Sequence, residues 1–447
     1  MAERLMKLGA FVYGTGHHAA SWRHPDAVLD FDVSFSYFAD LAKTAERGLF
    51  DLLFWADAPA LPNQSADILS RTAYIMRMDP VTLLAALAVV TEHIGLVSTS
   101  TTTYDEPFHI ARRFATIDHI SGGRSGWNLV TTGTSDSAQN FSYAEHPSPA
   151  ARYRRAREFA EIVLGLWDSF DADAFLRDPK SGLFFDPNKV HELNFKGEYF
   201  QVRGPLNVAR SPQGRPIMVQ AGSSEDGKDL AAQYADVIFT AQDTLQGAKT
   251  FYADVKGRMA KYGRDPDDVK IMPGIFAMIG RTEKEARDKY DELQQLIDPK
   301  IGLMMLQQNL KFDFSGYPLD GPLPDLPDNL LKESRPALFF NKARRDNLTI
   351  RQVYMSIAGG RGHHQIFGSP AQIADVLEQW FDDGGADGFN MMAPLMRSGL
   401  SDFVELLVPE LQRRGLFRKA YEGRTLRENL GLPMPKSRYS PSMQAVP

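Results

Sequence analysis

The sequence predicts an α/β fold, and within that class a closed (β/α)8 TIM barrel with insertions at its C-terminal mouth. Eight short apolar runs alternate with longer amphipathic stretches along the 447-residue chain, the pattern of repeated βα units around a parallel sheet. Because each run is followed by a helical stretch, a closed barrel is favoured over an open sheet. The predicted strands are Leu8–Tyr13, Asp51–Trp55, Ile94–Thr99, Ser125–Thr131, Pro216–Gln220, Val237–Thr240, Lys270–Gly274 and Gly388–Met392.

The stretches between these strands carry apolar residues at helical spacing. The clearest helix start is Asp79-Pro80, where a capping side chain precedes a proline at the first helical position. The predicted helices are Phe35–Arg47, Val81–Thr91, His109–His119, Ala151–Ser169, Glu225–Tyr234, Leu245–Tyr262, Glu283–Ile297, Pro370–Asp383 and Asp402–Arg414.

Three segments do not fit a plain barrel and are predicted insertions, at about 61–78, 171–202 and 298–349. The second ends in G-E-Y-F-Q-V-R-G-P, which is typical of a small hairpin, and the third contains the proline-rich G-Y-P-L-D-G-P-L-P-D-L-P. Insertions in such barrels usually form walls or a lid at the catalytic mouth. We therefore expect one barrel domain over 1–430 and a C-terminal tail over 431–447.

Composition limits the functions that the chain can have. A formal net charge of -6 argues against a surface that coats nucleic acid. The chain has no cysteine, which excludes disulfides, thiolate metal sites and cysteine nucleophiles and fits a cytoplasmic location. The N-terminus lacks the apolar core of a signal peptide, and the apolar run Val81–Val97 is interrupted by Thr91, Glu92 and His93, too soon to cross a bilayer. We expect a cytoplasmic protein that acts on small molecules, without a nucleic-acid or membrane partner.

Polar side chains follow several predicted strands at their C-terminal ends, which converge at the mouth of a barrel. Asp57 follows the second strand, Ser100–Tyr104 follows the third, and Asn128 with Thr131–Thr134 belongs to the end of the fourth. A single hydroxyl at such a place is more often a local cap than a ligand contact, but several strand ends together weaken that explanation. These residues predict a pocket lined by hydroxyl and amide groups.

The turn Q-A-G-S-S-E-D-G after the fifth strand predicts an anion site. Ser223 and Ser224 open a helix there, and the free N–H groups of a helix start together with hydroxyls suit a phosphate. Many α/β loops share such a turn.

Other chemistries are less well supported. His17 and His18 are adjacent, as are His363 and His364, so each pair points to opposite faces of its strand and makes a poor metal chelate. We expect no metal. The chain has no G-x-G-x-x-G after a strand, no phosphate-binding Gly-Lys-Ser/Thr loop and no G-x-S-x-G elbow; its nearest approach, G-G-R-G-H-H, lacks the right context.

The run T-T-T-Y-D-E-P-F-H-I-A-R-R-F-A-T-I-D-H-I-S-G-G-R-S-G-W-N-L-V-T-T (101–132) resembles the bacterial-luciferase-like flavin monooxygenases. More narrowly, it is similar to the branch with the nitrilotriacetate, EDTA and dibenzothiophene-sulfone monooxygenases and the long-chain alkane monooxygenase. The resemblance covers nearly the whole chain and includes W-R-H-P-D (22–26), F-D-L-L-F-W-A-D (50–57), A-R-Y-R-R-A-R-E-F (151–159), R-S-P-Q-G-R-P (210–216), G-R-D-P-D (263–267), Y-P-L-D (317–320) and G-A-D-G-F-N (385–390).

The resemblance implies FMN bound at the C-terminal mouth of the barrel. By position, Asp57 and Thr101 match flavin contacts near the ring and ribityl chain, while Tyr153 and Ser224, beside Ser223, match contacts on the phosphate side. Asn128 and Thr131 match less closely. One departure is Pro149, which stands where relatives often have a histidine, so a side-chain contact to the flavin is lost there.

The resemblance also implies the reaction. O2 would add to FMNH2 to give a flavin hydroperoxide that oxygenates a substrate, with NAD(P)H used only by a separate partner reductase. His17 or His18, together with His363, matches histidines thought to line the substrate side of the flavin and to manage a proton. A homodimer or homotetramer is usual among the relatives.

Two other functions stay open, a deazaflavin-dependent hydride transfer and a non-catalytic flavin-binding protein. The substrate also stays open among aminopolycarboxylates, sulfones and related xenobiotics. An aminopolycarboxylate would require arginines at the mouth, and a polycyclic sulfone an apolar mouth.

Overall fold

The computed structural model describes residues 4–327, 340 and 343–440. Parts of the predicted third insertion (328–339 and 341–342) and of the tail (441–447) lie outside these residues. The strands in chain order are β1 Lys7–Val12, β2 Leu52–Trp55, β3 Gly95–Thr101, β4 Ser125–Val130, β5 Phe195–Lys196, β6 Gln201–Val202, β7 Ile217–Gln220, β8 Val237–Thr240, β9 Lys270–Ile279, β10 His364–Gly368 and β11 Gly388–Met392.

The predicted barrel is confirmed. Strands β1, β2, β3, β4, β7, β8, β9 and β11 pair side by side in parallel, and β11 pairs with β1 to close the ring. Side chains alternate along each strand, so Val97 of β3 packs inside the barrel with Phe11 and Phe54, whereas Leu96 packs outward against the helices. The C-terminal strand ends form what we call the mouth, and the N-terminal strand ends form the base.

Helices surround the barrel, and most begin at a residue whose side chain caps them. Asp79 accepts a hydrogen bond from the Thr82 N–H at 2.7 Å, with Pro80 at the first helical position, as the sequence predicted. The helices are α1 Phe35–Arg47, α2 Ala66–Leu69, α3 Pro80–Ala88, α4 Pro107–Ser121, α5 Pro149–Trp167, α6 Glu225–Tyr234, α7 Leu245–Met259, α8 Glu283–Gln295, α9 Pro299–Leu310, α10 Ile350–Ile357, α11 Pro370–Asp382, α12 Met396–Asp402, α13 Val408–Arg413 and α14 Leu426–Leu430.

The predicted helical stretch Asp402–Arg414 is helical, but it is not one uninterrupted α-helix. α12 continues through a π-helical segment, Phe403–Leu407, into α13. Pro409 is the physical reason, because it has no N–H to donate to the preceding turn and its ring crowds that turn.

Strand β10 was not predicted, and β9 extends five residues past the predicted end at Gly274. The extra half of β9, Ile275–Ile279, pairs in parallel with β10 above the barrel, and the His364 N–H donates to the Gln242 carbonyl beyond β8 at 2.9 Å. The H-Q-I-F-G segment has too few apolar residues to be recognised alone. Its position matters because it fixes residues 361–363 over the mouth.

The predicted hairpin is present, as β5 and β6 pair antiparallel. The first predicted insertion contains α2, and the described part of the third contains α9. The single-domain boundary at 430 stays a prediction.

The segment that follows α13 closes the base of the barrel. Leu426, Leu430 and Leu432 pack into the interior cluster, and a Cβ on Gly95 would lie 2.4 Å from Cδ1 of Leu426. Arg418 pairs with Asp51, and Arg427 pairs with Asp236 at 3.0 Å. No helix among the described residues is long and apolar enough to span a membrane.

Candidate active site at the mouth of the barrel

Hydroxyl groups of β3 and the residues after β4 meet at the mouth. Thr101 Oγ1 lies 2.6 Å from Thr132 Oγ1 and accepts from the Thr103 N–H at 3.0 Å. Thr103 Oγ1 in turn donates to the Thr131 carbonyl at 3.0 Å. Thr132 has a φ of 40°, a left-handed conformation that is strained for a β-branched residue. Thr101 therefore belongs to a fixed hydroxyl network, while Thr131 contributes its backbone to that network.

Asn128 points into the barrel from β4. Its Nδ2 donates to Thr99 Oγ1 at 2.7 Å, and Thr99 donates to the Trp55 carbonyl at 3.0 Å. The Oδ1 of Asn128 is buried and meets no hydrogen-bond partner among the described residues. A buried acceptor without a partner costs free energy unless a ligand or water satisfies it. Asn390 on β11, which the sequence analysis did not single out, likewise has a buried, unpartnered Oδ1.

Tyr153 and Ser224 come together at the start of α6. The Tyr153 hydroxyl lies 2.9 Å from Ser224 Oγ, which also accepts from the Gly227 N–H at 3.1 Å. A Cβ on Gly227 would lie 3.1 Å from both hydroxyl oxygens, so the backbone approaches this pair closely. Ser223 is exposed one residue earlier. Two hydroxyls at a helix N-terminus suit an anion, and a bound phosphate at this place stays a prediction.

Asp57 follows β2 and is half-buried. Burial raises the pKa of its carboxyl group, while the nearby Arg77 opposes that rise. Pro149, the departure from the family pattern, is the first residue of α5. His146 lies three residues earlier, with Nδ1 2.6 Å from the Tyr104 hydroxyl.

The two histidine candidates at 17 and 363 belong to one cluster, which also contains Arg361, Tyr13 and Tyr74. Arg361 Nη2 donates to His17 Nδ1 at 2.6 Å, and because a guanidinium is always a donor, the other ring nitrogen carries the proton and donates to the Phe11 carbonyl at 2.8 Å. Burial first, and then Arg361, holds the pKa of His17 well below its usual range. His17 is therefore a neutral imidazole in one fixed tautomer.

His363 is also kept neutral. Burial and then Arg361 lower the pKa of His363 to about 4. Its ring stacks on Phe239 with centroids 5.2 Å apart, and its buried Nδ1 lies against the backbone of Gly274, whose interaction with the ring opposes the fall in pKa. A Cβ on Gly274 would lie 2.4 Å from that nitrogen, so only glycine fits there.

His18 and His364 lie elsewhere. The Nε2 of His18 donates to Gln294 Oε1 on α8 at 3.3 Å, its Nδ1 accepts from the Ala20 N–H, and burial lowers the pKa of His18 to about 4. His364 contacts the Asp243 carbonyl at 2.8 Å. Of the first-strand candidates, the structure thus brings His17 into the cluster with His363, and it places His18 against a surrounding helix.

Sequence reasoning missed Arg361 and Tyr74. Arg361 lies in the G-G-R-G-H-H motif, which was compared only with a phosphate loop, and Tyr74 lies in the first insertion. The guanidinium of Arg361 lies 4.7 Å from the Tyr13 ring centroid and 5.7 Å from that of Tyr74. A signal was available, because an arginine flanked by glycines beside two histidines is unusual for a plain turn.

The residues at the mouth fit a phosphorylated, hydrogen-bonding aromatic cofactor. The Tyr153–Ser224 pair and the helix start suit a phosphate, and the unpartnered Asn128 Oδ1 suits a hydrogen-bond donor. Among the described residues, no group of three or more histidines, aspartates and glutamates is arranged to hold a metal ion.

Comparisons with known proteins identify the family of the chain. A sequence model described as luciferase-like monooxygenase matches residues 6–387. The chain is 54% identical to N-acetyl-S-(2-succino)cysteine monooxygenase of Bacillus subtilis (strain 168), covering 98% of this chain and 99% of that protein. It is 48% identical to nitrilotriacetate monooxygenase component A of Aminobacter aminovorans, with 98% of both chains covered.

A solved structure supports the same assignment. The crystal structure of a riboflavin lyase with modified FMN and riboflavin superposes with a TM-score of 0.83 at 30% identity, over 96% of this chain and 96% of that one. The resemblance to the nitrilotriacetate monooxygenase branch is confirmed, and the chain belongs to the luciferase-like monooxygenase family.

Proposed function

We propose that this chain is the oxygenase component of a two-component flavin monooxygenase. It would take reduced FMN from a separate NAD(P)H:flavin oxidoreductase and use O2 to oxygenate a small organic substrate. The observation that carries the proposal is the pair of hydroxyls, Tyr153 and Ser224, at the start of α6, on the same mouth as the neutral His17–His363 cluster.

Two relatives support the division into components. One relative's name describes it as component A of a nitrilotriacetate monooxygenase, which implies a further component. The riboflavin lyase structure contains a modified FMN. In the same arrangement here, Ser224 and Tyr153 would hold the phosphate, while Asp57, Thr101 and Asn128 would contact the ring and ribityl chain.

Bound reduced FMN would supply the two electrons that activate O2, with one oxygen atom entering the substrate and the other leaving as water. The protein's own contribution is a dry and ordered pocket. Phe11, Phe54 and Phe239 pack together beside His17 and His363 and make that side of the pocket apolar. His17 is held by two hydrogen bonds, and the neutral ring of His363 packs its Nδ1 against the backbone of Gly274, so both rings are fixed beside the pocket.

The test is to mix the protein anaerobically with photoreduced FMN, admit air, and follow the flavin absorbance. Reoxidation that differs from that of free FMN, with oxygenated product when nitrilotriacetate and N-acetyl-S-(2-succino)cysteine are tried as probes, is the expected result. Binding of FMN with reoxidation at the unassisted rate would instead indicate a flavin-binding protein. Hydride transfer from a reduced deazaflavin without O2 consumption would indicate the other alternative.

A further inference from the structure

Arg361 is a half-buried cation that has no carboxylate partner among the described residues. No aspartate or glutamate among residues 4–327, 340 and 343–440 forms an ion pair with it, and its Nε is buried without a hydrogen-bond partner there. The one hydrogen bond that its guanidinium makes within that part of the chain goes to His17, a neutral ring. Polar groups removed from water are normally hydrogen-bonded or paired, so the buried Nε of this guanidinium requires an explanation.

Two fully buried arginines show how the charge and the N–H groups of a guanidinium are satisfied in this protein. Arg427 meets Asp236 through two nitrogens, at 3.0 and 3.2 Å. Arg124 has no carboxylate in contact, but all three of its nitrogens donate to carbonyl or hydroxyl oxygens, including those of Ser121 and Thr91. Among the described residues, Arg361 has neither a carboxylate partner nor a full set of hydrogen bonds.

Among the described residues, the neighbours of Arg361 add no negative charge. Tyr13 and Tyr74 present aromatic faces to the guanidinium, and burial raises the pKa of the Tyr74 hydroxyl well above its usual value, so this group stays protonated. The Tyr74 hydroxyl is itself buried with no partner among the described residues. Two unpartnered donors in one cluster, one of them charged, match the acceptor oxygens of a carboxylate.

The backbone conformation at Arg361 is energetically unfavourable. Its φ is 47°, a left-handed conformation that arginine rarely adopts. A Cβ on Gly360 would lie 2.6 Å from Cγ of Gln365, so the loop is pressed against β10. A strained, closely packed loop that presents an unpaired charge indicates a binding role rather than a structural one.

We propose that Arg361, with the Tyr74 hydroxyl beside it, binds a carboxylate group of the substrate, so that the substrates of this enzyme are organic acids. This inference rests on the proposed monooxygenase function. Tyr74 comes from the first insertion, and Arg361 from the loop that follows α10, whereas the Tyr153–Ser224 pair comes from α5 and α6 of the barrel itself. The carboxylate site is thus built from parts added above the barrel, where a substrate rather than the flavin phosphate would lie. Two relatives are named for acids, nitrilotriacetate and N-acetyl-S-(2-succino)cysteine.

The test measures binding without turnover, on the FMN-loaded protein under anaerobic conditions. The probes are nitrilotriacetate and N-acetyl-S-(2-succino)cysteine, each compared with its neutral methyl ester by calorimetry. We expect Arg361→Gln to weaken binding of at least one acid by tenfold or more, which is the loss of a charge-assisted hydrogen bond, and to leave ester binding within about twofold. Arg361→Lys should recover part of the loss, because it restores the charge without the planar fork.

Arg351→Gln is the matched control, because Arg351 already pairs with Asp320 at 2.7 Å. It should leave acid binding unchanged. Equal binding of the acids by the wild type and Arg361→Gln, or no binding of either acid by the wild type, would overturn the proposal. Weaker binding of reduced FMN to Arg361→Gln, with the acids unaffected, would also overturn it and assign Arg361 to the flavin. Failure of the proposed monooxygenase function is a separate outcome. It would be seen in the reoxidation experiment, as reduced FMN that reacts with O2 at the rate of free flavin.

Discussion

At the base of the barrel, Arg418 and Arg427 each meet a buried carboxylate, whereas at the mouth Arg361 meets none among the described residues. The two ends are made by the same strands, but Arg418 and Arg427 are fully buried, whereas Arg361 is half-buried. At the base, the arginine charges are paired within the protein and stabilise the fold. At the mouth, the charge of Arg361 is available to a ligand. Buried polar groups at the mouth that lack protein partners, such as Asn128 Oδ1 and Tyr74 Oη, follow the same pattern.

The largest effect is expected from breaking a pair at the base. Arg427→Met leaves the Asp236 carboxylate buried without its bidentate partner, which should lower the free energy of unfolding by about 3–5 kcal/mol. Urea denaturation followed by circular dichroism measures this. Arg47→Met is the control, because Arg47 and Glu405 pair at 2.7 Å on the surface with more than half of each side chain exposed, and such pairs contribute at most about 1 kcal/mol. Equal losses in the two variants would contradict the contrast between buried and exposed pairs.

The next effect concerns the mouth. Ser224→Ala removes a hydroxyl from the Tyr153–Ser224 pair and should weaken FMN binding by about 1.5–3 kcal/mol, roughly 10- to 150-fold in Kd. Fluorescence titration of FMN measures it, and Tyr153→Phe should act in the same direction.

The control separates ligand binding from helix capping, since Ser224 also caps α6. Thr425→Ala removes the equivalent cap of α14 at the base, where Oγ1 accepts from the Glu428 N–H at 3.2 Å. Both variants should lose about 1 kcal/mol of stability, but only Ser224→Ala should lose FMN affinity. Unchanged affinity in Ser224→Ala would place the phosphate elsewhere.

The contrast between the two ends also explains what the sequence could predict. Strand ends, the Asp79 cap and the Ser224 cap follow from local patterns of a few residues, and all three are present. The role of Arg361 could not be derived from a local pattern. It depends on the absence of a nearby carboxylate among the described residues, which only the folded structure shows. Its contact with His17 also joins residues 344 positions apart. The choice between His17 and His18 was open for the same reason, since it depends on the packing of α8 against the chain after β1.

A third prediction uses pH to test the buried histidines. The pKa of His18 is about 4 in the folded protein, against about 6.5 when unfolded, so the unfolded chain binds more protons between these values. The stability that His18 contributes is therefore full above pH 6.5 and is lost as the pH falls from 6.5 towards 4. His18→Gln should give a shallower decline of the unfolding free energy over this window than the wild type, measured by urea denaturation at several pH values.

His93→Gln is the control, because the His93 side chain is 49% exposed, and its decline should match that of the wild type. If His18→Gln loses stability with acid as steeply as the wild type, other groups are responsible for the acid sensitivity.

The smallest effect is expected where the comparison began, at Arg361. Arg361→Met removes a half-buried charge and leaves no opposite charge behind among the described residues, so the loss is limited to the hydrogen bond with His17, worth about 1 kcal/mol. The methionine side chain regains part of this through apolar contact with Tyr13 and Tyr74. The unfolding free energy should therefore change by less than about 1 kcal/mol, several-fold less than for Arg427→Met. A loss of about 3 kcal/mol or more would mean that Arg361 has a structural counter-charge. The contrast between paired arginines at the base and an arginine available to a ligand at the mouth would then be wrong.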